Sequence, residues 1–203
     1  MIAIIDYNVG NLKSVTNAFQ RIGIETVVTR DKEVIRKANG IVLPGVGTFV
    51  VAMENLNKYD LVDILKERKD AGIPILGICL GMQILFERGS EVKDTAGLGF
   101  LKGSVDKMVV NAKIPHMGWN ELIFNQNHSL LKNIKEKDYV YFVHSFMAYG
   151  IDEELVAYCE YGGEKITALV AKDNVMGCQF HPEKSGEVGK KILEAFKEMV
   201  ECY

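Results

Sequence analysis

The chain has 203 residues, 48% of them hydrophobic, with 24 Lys and Arg against 27 Asp and Glu and a formal charge of −3. That is enough apolar material for a single domain with a sizeable core, and lysines dispersed among acids leave no basic stripe to hold a nucleic-acid backbone. Cys79, Cys159, Cys178 and Cys202 stand far apart with no C-x-x-C pair, so neither a disulfide framework nor a zinc site is indicated.

The N-terminal "MIAIID" reads as a buried strand. Its apolar run is broken by Asp6 and carries no basic leader, so neither a signal segment nor a membrane span is expected and the protein is read as cytoplasmic. Leu12, Val15, Phe19 and Ile22 then recur at helical spacing until Gly23 offers a stop. "IETVV" and "GIVL" are short strands, and Asp60 to Ala71 is a polar-faced helix leading through Gly72 into the strand "IPILGI". Such alternation predicts an α/β fold, a mostly parallel sheet with helices on both faces. After about Gly97 the pieces become strand-like: "GLGFLKGSVDKMVV", "DYVYFVHSF", "LVAYCEY", "ITALVAK" and "VMGCQF". This half predicts hairpins and a β-rich extension of the sheet. Val188, Ile192, Phe196 and Met199 share one face of a last helix. With no linker or repeat, residues 1–203 read as one domain.

Chemistry concentrates at "GICLGMQ". Gly77-Ile78-Cys79-Leu80-Gly81 has the small-x-nucleophile-x-small form of a nucleophile elbow, with an apolar strand before it and "MQILFER" predicted as the helix after it. A tight strand-to-helix turn strains the central residue and brings backbone close on either side, which the glycines permit. The sulfur then sits at a helix N-terminus, which favours thiolate. A base is available in His181, at the end of the strand "VMGCQF", and Glu183 two residues on can orient it. An acyl reaction also needs oxyanion donors: the N–H of Leu80, and amides of the flexible loop "PGVG", with Val46 and Gly47 the candidates. Read from the residues alone, Cys79 can equally be a packed core residue, His181 a surface histidine and Pro44-Gly45 a plain turn; it is their combination that favours catalysis. Gly45-Val46-Gly47 and "GLGFLKG" both fail the dinucleotide fingerprint, and no cofactor is expected. Strand ends near Leu43, Ile78 and Phe180 fall on one carboxyl edge, where ligands bind.

"PGVG", "GICLGMQ" and "FHPEKS", in this order, resemble the triad-type (class I) glutamine amidotransferases, with their flavodoxin-like fold. The resemblance implies a glutaminase in which Cys79 attacks the side-chain amide of glutamine to form a thioester, His181 moves protons and Glu183 orients His181. It further implies that Gly45, Gln83 and the "VHSF" residues His144, Ser145 and Phe146 hold substrate. "IDYNVGNLKSV", Met82, "GLGFLKGSV" and "PHMGWN" are similar to the branch of that family that serves imidazole glycerol phosphate synthases. This implies a heterodimer in which ammonia passes to a (βα)8-barrel cyclase acting on a ribonucleotide, PRFAR, in histidine biosynthesis. Asn8, Asn11, Lys13, His116, Met117, Gly118, Trp119 and Asn120 are then expected at the contact. From residues alone, the single tryptophan is as well suited to a core as to an interface anchor. The readings set against this one are a glutaminase for another synthase, a hydrolase of γ-glutamyl compounds, and a non-catalytic interaction module of the same fold. The resemblance also implies weak activity until the liganded cyclase binds, for which a flip of a peptide in the "PGVG" loop is a physical means.

Overall fold

A computed structural model describes residues 1–202. The chain opens with β1 (Ile2–Ile5), every residue of which is buried. This is why it reads as a continuous apolar run: a strand covered on both faces has no solvent side to alternate toward. Helix α1 (Leu12–Arg21) starts at Asn11, whose side chain accepts from the Ser14 N–H at 3.4 Å, and turns Val15 and Phe19 inward. Next come β2 (Thr26–Thr29) and α2 (Lys32–Lys37), the latter capped by Asp31, which accepts from the N–H groups of Glu33 and Val34. Strand β3 (Gly40–Leu43) is followed by α3 (Phe49–Lys58), α4 (Val62–Asp70), β4 (Ile75–Ile78) and the single turn α5 (Leu80–Gln83).

The second half is strand-rich: β5 (Phe86–Gly89), β6 (Thr95–Ala96), β7 (Leu101–Lys107), β8 (His116–Glu121), β9 (Ile123–Phe124), β10 (Tyr139–His144) and β11 (Phe146–Tyr149). Then β12 (Leu155–Tyr161), β13 (Glu164–Lys172) and β14 (Val175–Cys178) meander back, and α6 (Gly186–Glu201) closes the chain. The main sheet has the order β2-β1-β3-β4-β14-β13-β12-β9. Its first five strands are parallel, and β14 joins β13, β12 and β9 antiparallel to one another. Two small sheets, β10-β8 and β11-β7-β5-β6, make the extension. Helices α1 and α6 cover one face of the main sheet, joined by Phe19 and Phe196 edge to face at 6.2 Å. On the other face, α2, α3 and α4 bury Ile35, Met53, Leu56 and Ile64.

The expected α/β fold and β-rich extension are present. One expectation is corrected: "MQILFER" is not a helix beyond Gln83, because Phe86 pairs with Leu101 and the chain becomes β5. Helices α2 and α3 had no counterpart in the reading above, although Phe49, Ala52, Met53 and Leu56 do carry helical spacing. No helix among the described residues is long and apolar enough to cross a membrane.

Candidate active site

Cys79 sits between β4 and α5 with φ +54 and ψ −111, a conformation rare for a residue with a side chain. The surrounding backbone enforces it. A Cβ on Gly81 would lie 1.7 Å from the Leu43 carbonyl oxygen, and one on Gly77 would lie 2.5 Å from the carbonyl oxygen of Gly81. The turn is therefore pressed against both strands with no room for side chains at either glycine. Cys79 donates its N–H to the Cys178 carbonyl at 2.7 Å and its own carbonyl accepts from Met82 and Gln83, which starts α5. Leu80, the first residue of that turn, keeps a backbone N–H with no partner within the helix.

His181 arrives from the neighbouring strand, three residues past the end of β14. Its backbone N–H donates to the Tyr141 carbonyl at 3.0 Å, and Nδ1 lies 2.8 Å from Glu183 Oε1, with both side chains buried. The carboxylate can only accept when ionised, so Nδ1 carries the proton and Nε2 is the ring atom left for Cys79. The pairing was expected from an extended segment but is formed in a 3-10 turn, Pro182–Lys184, with His181 as its capping residue. Burial works against the charged imidazole, but hydrogen bonding to Cys79 and Glu183 and the negative charge of both outweigh it, and His181 is pushed up to about 9. Among the described residues, no partner other than Cys79 is available to Nε2.

A cavity of about 290 Å³ gathers Val46, Gly47, Cys79, Leu80, Gln83 and His181, together with His144, Ser145 and Phe146. That is at the small end of ligand pockets. Gly45 is buried below the loop and does not line it; a Cβ there would meet Gly81 N and Leu80 Cβ, both at 2.8 Å. Gln83 is anchored through Nε2, which donates to Phe146 O at 3.2 Å and to Gln179 Oε1 at 3.0 Å. His144 differs from expectation. Its Nδ1 donates to Phe146 O at 2.8 Å and its Nε2 faces His116 Nδ1 at 3.0 Å, so both ring nitrogens are engaged within the protein. Burial drives it down to about 4, hence neutral.

Strand β8 separates the expected contact residues by its two-residue period. Met117 and Trp119 point out, 59% and 52% exposed, whereas His116 is 0% exposed and stacks between Phe142 and Tyr161 at 4.8 and 4.1 Å. His116 is thus corrected from a contact residue to a core residue. Asn120 is half-buried with Oδ1 2.7 Å from His116 Nε2, and Gly118 is likewise only partly exposed. Tyr141 stands across from Trp119 at 5.9 Å and Tyr139 across from Glu121, so two tyrosines missed in the sequence extend the outward face. Asn8 and Lys13 are exposed, while the Asn11 side chain is occupied as a helix cap. Their segment abuts the "PGVG" loop, since a Cβ on Gly10 would lie 3.3 Å from Gly45 N.

Four further residues escaped the sequence reading. Glu91 and Lys184 line the cavity, and Glu91 accepts from the Phe49 N–H at 2.8 Å. The buried Tyr7 hydroxyl donates to Pro44 O at 2.5 Å and tethers the base of the loop. Gln179 is buried beside Cys79. Its signal was present as a lone polar residue in an apolar run ahead of His181; that of Glu91 was not, because it comes from a distant loop.

Residues 3–199 match the family Glutamine amidotransferase class-I. The chain is 57% identical over 199 residues to the imidazole glycerol phosphate synthase subunit HisH of Lactococcus lactis, covering 98% of each chain. It is 51% identical to the subunit of the same name from Bacillus cereus, over its whole length and 97% of the relative. Among solved structures, a glutamine amidotransferase aligns with TM-score 0.77 at 20% identity over 98% of both chains. PurLQS from Thermotoga maritima aligns with TM-score 0.77 at 23% identity over 97% of both.

Proposed function

The chain belongs to the class-I glutamine amidotransferase family, and we propose that it is the glutaminase subunit of an imidazole glycerol phosphate synthase, a single cytoplasmic domain working in a heterodimer. It hydrolyses glutamine to glutamate and ammonia and passes the ammonia to a (βα)8-barrel cyclase, which forms imidazole glycerol phosphate and AICAR from PRFAR in histidine biosynthesis. The observation that carries the chemistry is a strained cysteine in the same cavity as an imidazole whose far nitrogen is held by a buried carboxylate at 2.8 Å.

In this reading Cys79 Sγ adds to the side-chain carbonyl carbon of glutamine. The carbonyl oxygen takes up the negative charge and receives N–H groups from Leu80 and from the Val46-Gly47 segment. His181, already protonated because of its raised affinity for protons, gives the Nε2 proton to the departing nitrogen; the C–N bond breaks and ammonia leaves. Water then adds to the thioester, His181 takes its proton, and the C–S bond breaks to release glutamate. Glu183 holds Nδ1–H throughout, which fixes the ring and stabilises its charge. Gln83 faces the substrate, and Glu91 supplies the negative charge that suits its ammonium group. Met117, Trp119, Tyr139 and Tyr141 form the largely apolar face against the cyclase, which keeps ammonia out of bulk water.

The test is glutamate release by the chain alone, with a cognate cyclase, and with cyclase plus ribonucleotide, using Cys79→Ala as blank. Turnover rising strongly only in the complete mixture is expected. Equal turnover by the isolated chain would overturn the partner assignment, and none in any mixture would overturn the glutaminase.

A further inference from the structure

Gln179 takes no part in the reaction as set out above, yet it reaches the nucleophile. It follows β14 directly, is 0% exposed, and has its amide nitrogen 3.7 Å from Cys79 Sγ and its amide oxygen 3.0 Å from Gln83 Nε2.

The direction of these bonds is set from outside the pair. The carbonyl of Phe146 can only accept, so the end of Gln83 that meets it at 3.2 Å is the NH2 group. The same NH2 group then faces Gln179, whose carbonyl must receive it. The NH2 end of Gln179 is therefore the end turned to the sulfur. His181 also bears on the sulfur, and the amide of Gln179 is a further donor to it at 3.7 Å.

We propose that Gln179 is a further catalytic residue: its amide N–H donates to the Cys79 sulfur and favours the thiolate, while its carbonyl end holds Gln83, so that nucleophile and substrate-facing amide are set by one side chain. The proposal rests on the glutaminase reading. A thiolate accepts such a bond more strongly than a neutral thiol, and the buried setting strengthens it further. The bond acts in both halves of the reaction. It prepares the sulfur for attack, and when the thioester C–S bond breaks and the electron pair returns to sulfur, the same N–H donates to the re-formed thiolate, the proton of the attacking water having gone to His181.

The test is the pH dependence of iodoacetamide alkylation of Cys79, read by mass spectrometry of its peptide, for the full chain in its complex with the cyclase. Gln179→Glu keeps the size and the acceptor for Gln83 but turns a carboxylate oxygen to the sulfur. Its alkylation is expected to slow about tenfold at neutral pH, with the profile displaced upward by about one pH unit and converging with the parent in alkali. Gln179→Met removes the donor without adding charge and is expected to move the profile the same way by less; it also carries the test should Gln179→Glu not fold. Superimposable profiles in a folded variant would overturn the proposal. Failure of the glutaminase reading is distinct: the parent complex would not turn over glutamine, whatever the alkylation profile of the Gln179 variants.

Discussion

The backbone N–H of Cys79 donates to the carbonyl of Cys178 at 2.7 Å, the last bond of the ladder that sets Ile78 opposite Cys178 in β4 and β14. One residue beyond the Ile78–Cys178 pair on one strand comes the nucleophile, and three beyond it on the other comes His181. Two residues 102 positions apart by their numbers, 181 and 79, thus share a cavity because parallel neighbours end together.

Glu183 holds the imidazole rather than touching substrate. Glu183→Gln is expected to lower kcat by roughly 10² to 10⁴-fold with KM for glutamine changed only a few-fold. Steady-state glutaminase kinetics of the activated complex check this; a raised KM with unchanged kcat would contradict the role.

The proton affinity of His181 links the site to stability. Its folded value, about 9, lies above the ordinary value of about 6.5, so its stabilising contribution is complete below about pH 6.5 and is lost as pH rises through about 9. The Tm of the parent minus that of His181→Asn should therefore be largest in mild acid and shrink across that window. A gap independent of pH would mean that the imidazole is not charged in the folded state.

Two glycines should respond differently to alanine. Gly81→Ala puts a methyl group 1.7 Å from the Leu43 carbonyl oxygen, fixed backbone on both sides, and is expected to cost about 3 kcal/mol or more. Gly47→Ala meets nothing within 4 Å but must hold φ +118, so about 1–2 kcal/mol is expected. Denaturant unfolding measures both.

Trp119 and His116 are three residues apart but have different tasks. Trp119→Ala is expected to weaken cyclase binding by about 2 kcal/mol, roughly 30-fold in Kd, with little change in Tm. His116→Ala leaves Asn120 and His144 without a buried partner and is expected to lose about 2–3 kcal/mol of folding stability. Titration calorimetry and thermal unfolding of each variant separate the two.

Glu91→Gln removes the one acidic side chain that lines the cavity among the described residues. A charged hydrogen bond to the substrate ammonium is worth about 1.5–3 kcal/mol, so KM should rise by roughly 10 to 100-fold with kcat little affected.

Local signals in the chain determined the strands β1 to β4, β7 and β10 to β14, the helices α1, α4 and α6, and the three motifs of the site, because each depends on neighbours in sequence: apolar runs for buried strands, glycines around Cys79 for a turn, Glu183 within reach of His181. Helix α3 carried its spacing legibly, whereas the separation of Trp119 from His116 came only with strand β8. Only the tertiary structure decided which polar groups meet. "MQILFER" has the makings of a helix but yields to pairing between Phe86 and Leu101, and Glu91 enters the cavity from a loop with no motif of its own. The links from Gln83 to Phe146 and from Gln179 to Cys79 span 63 and 100 positions. Such bonds depend on where strands end in space and on burial that leaves each donor one available acceptor, and no local pattern of residues encodes either.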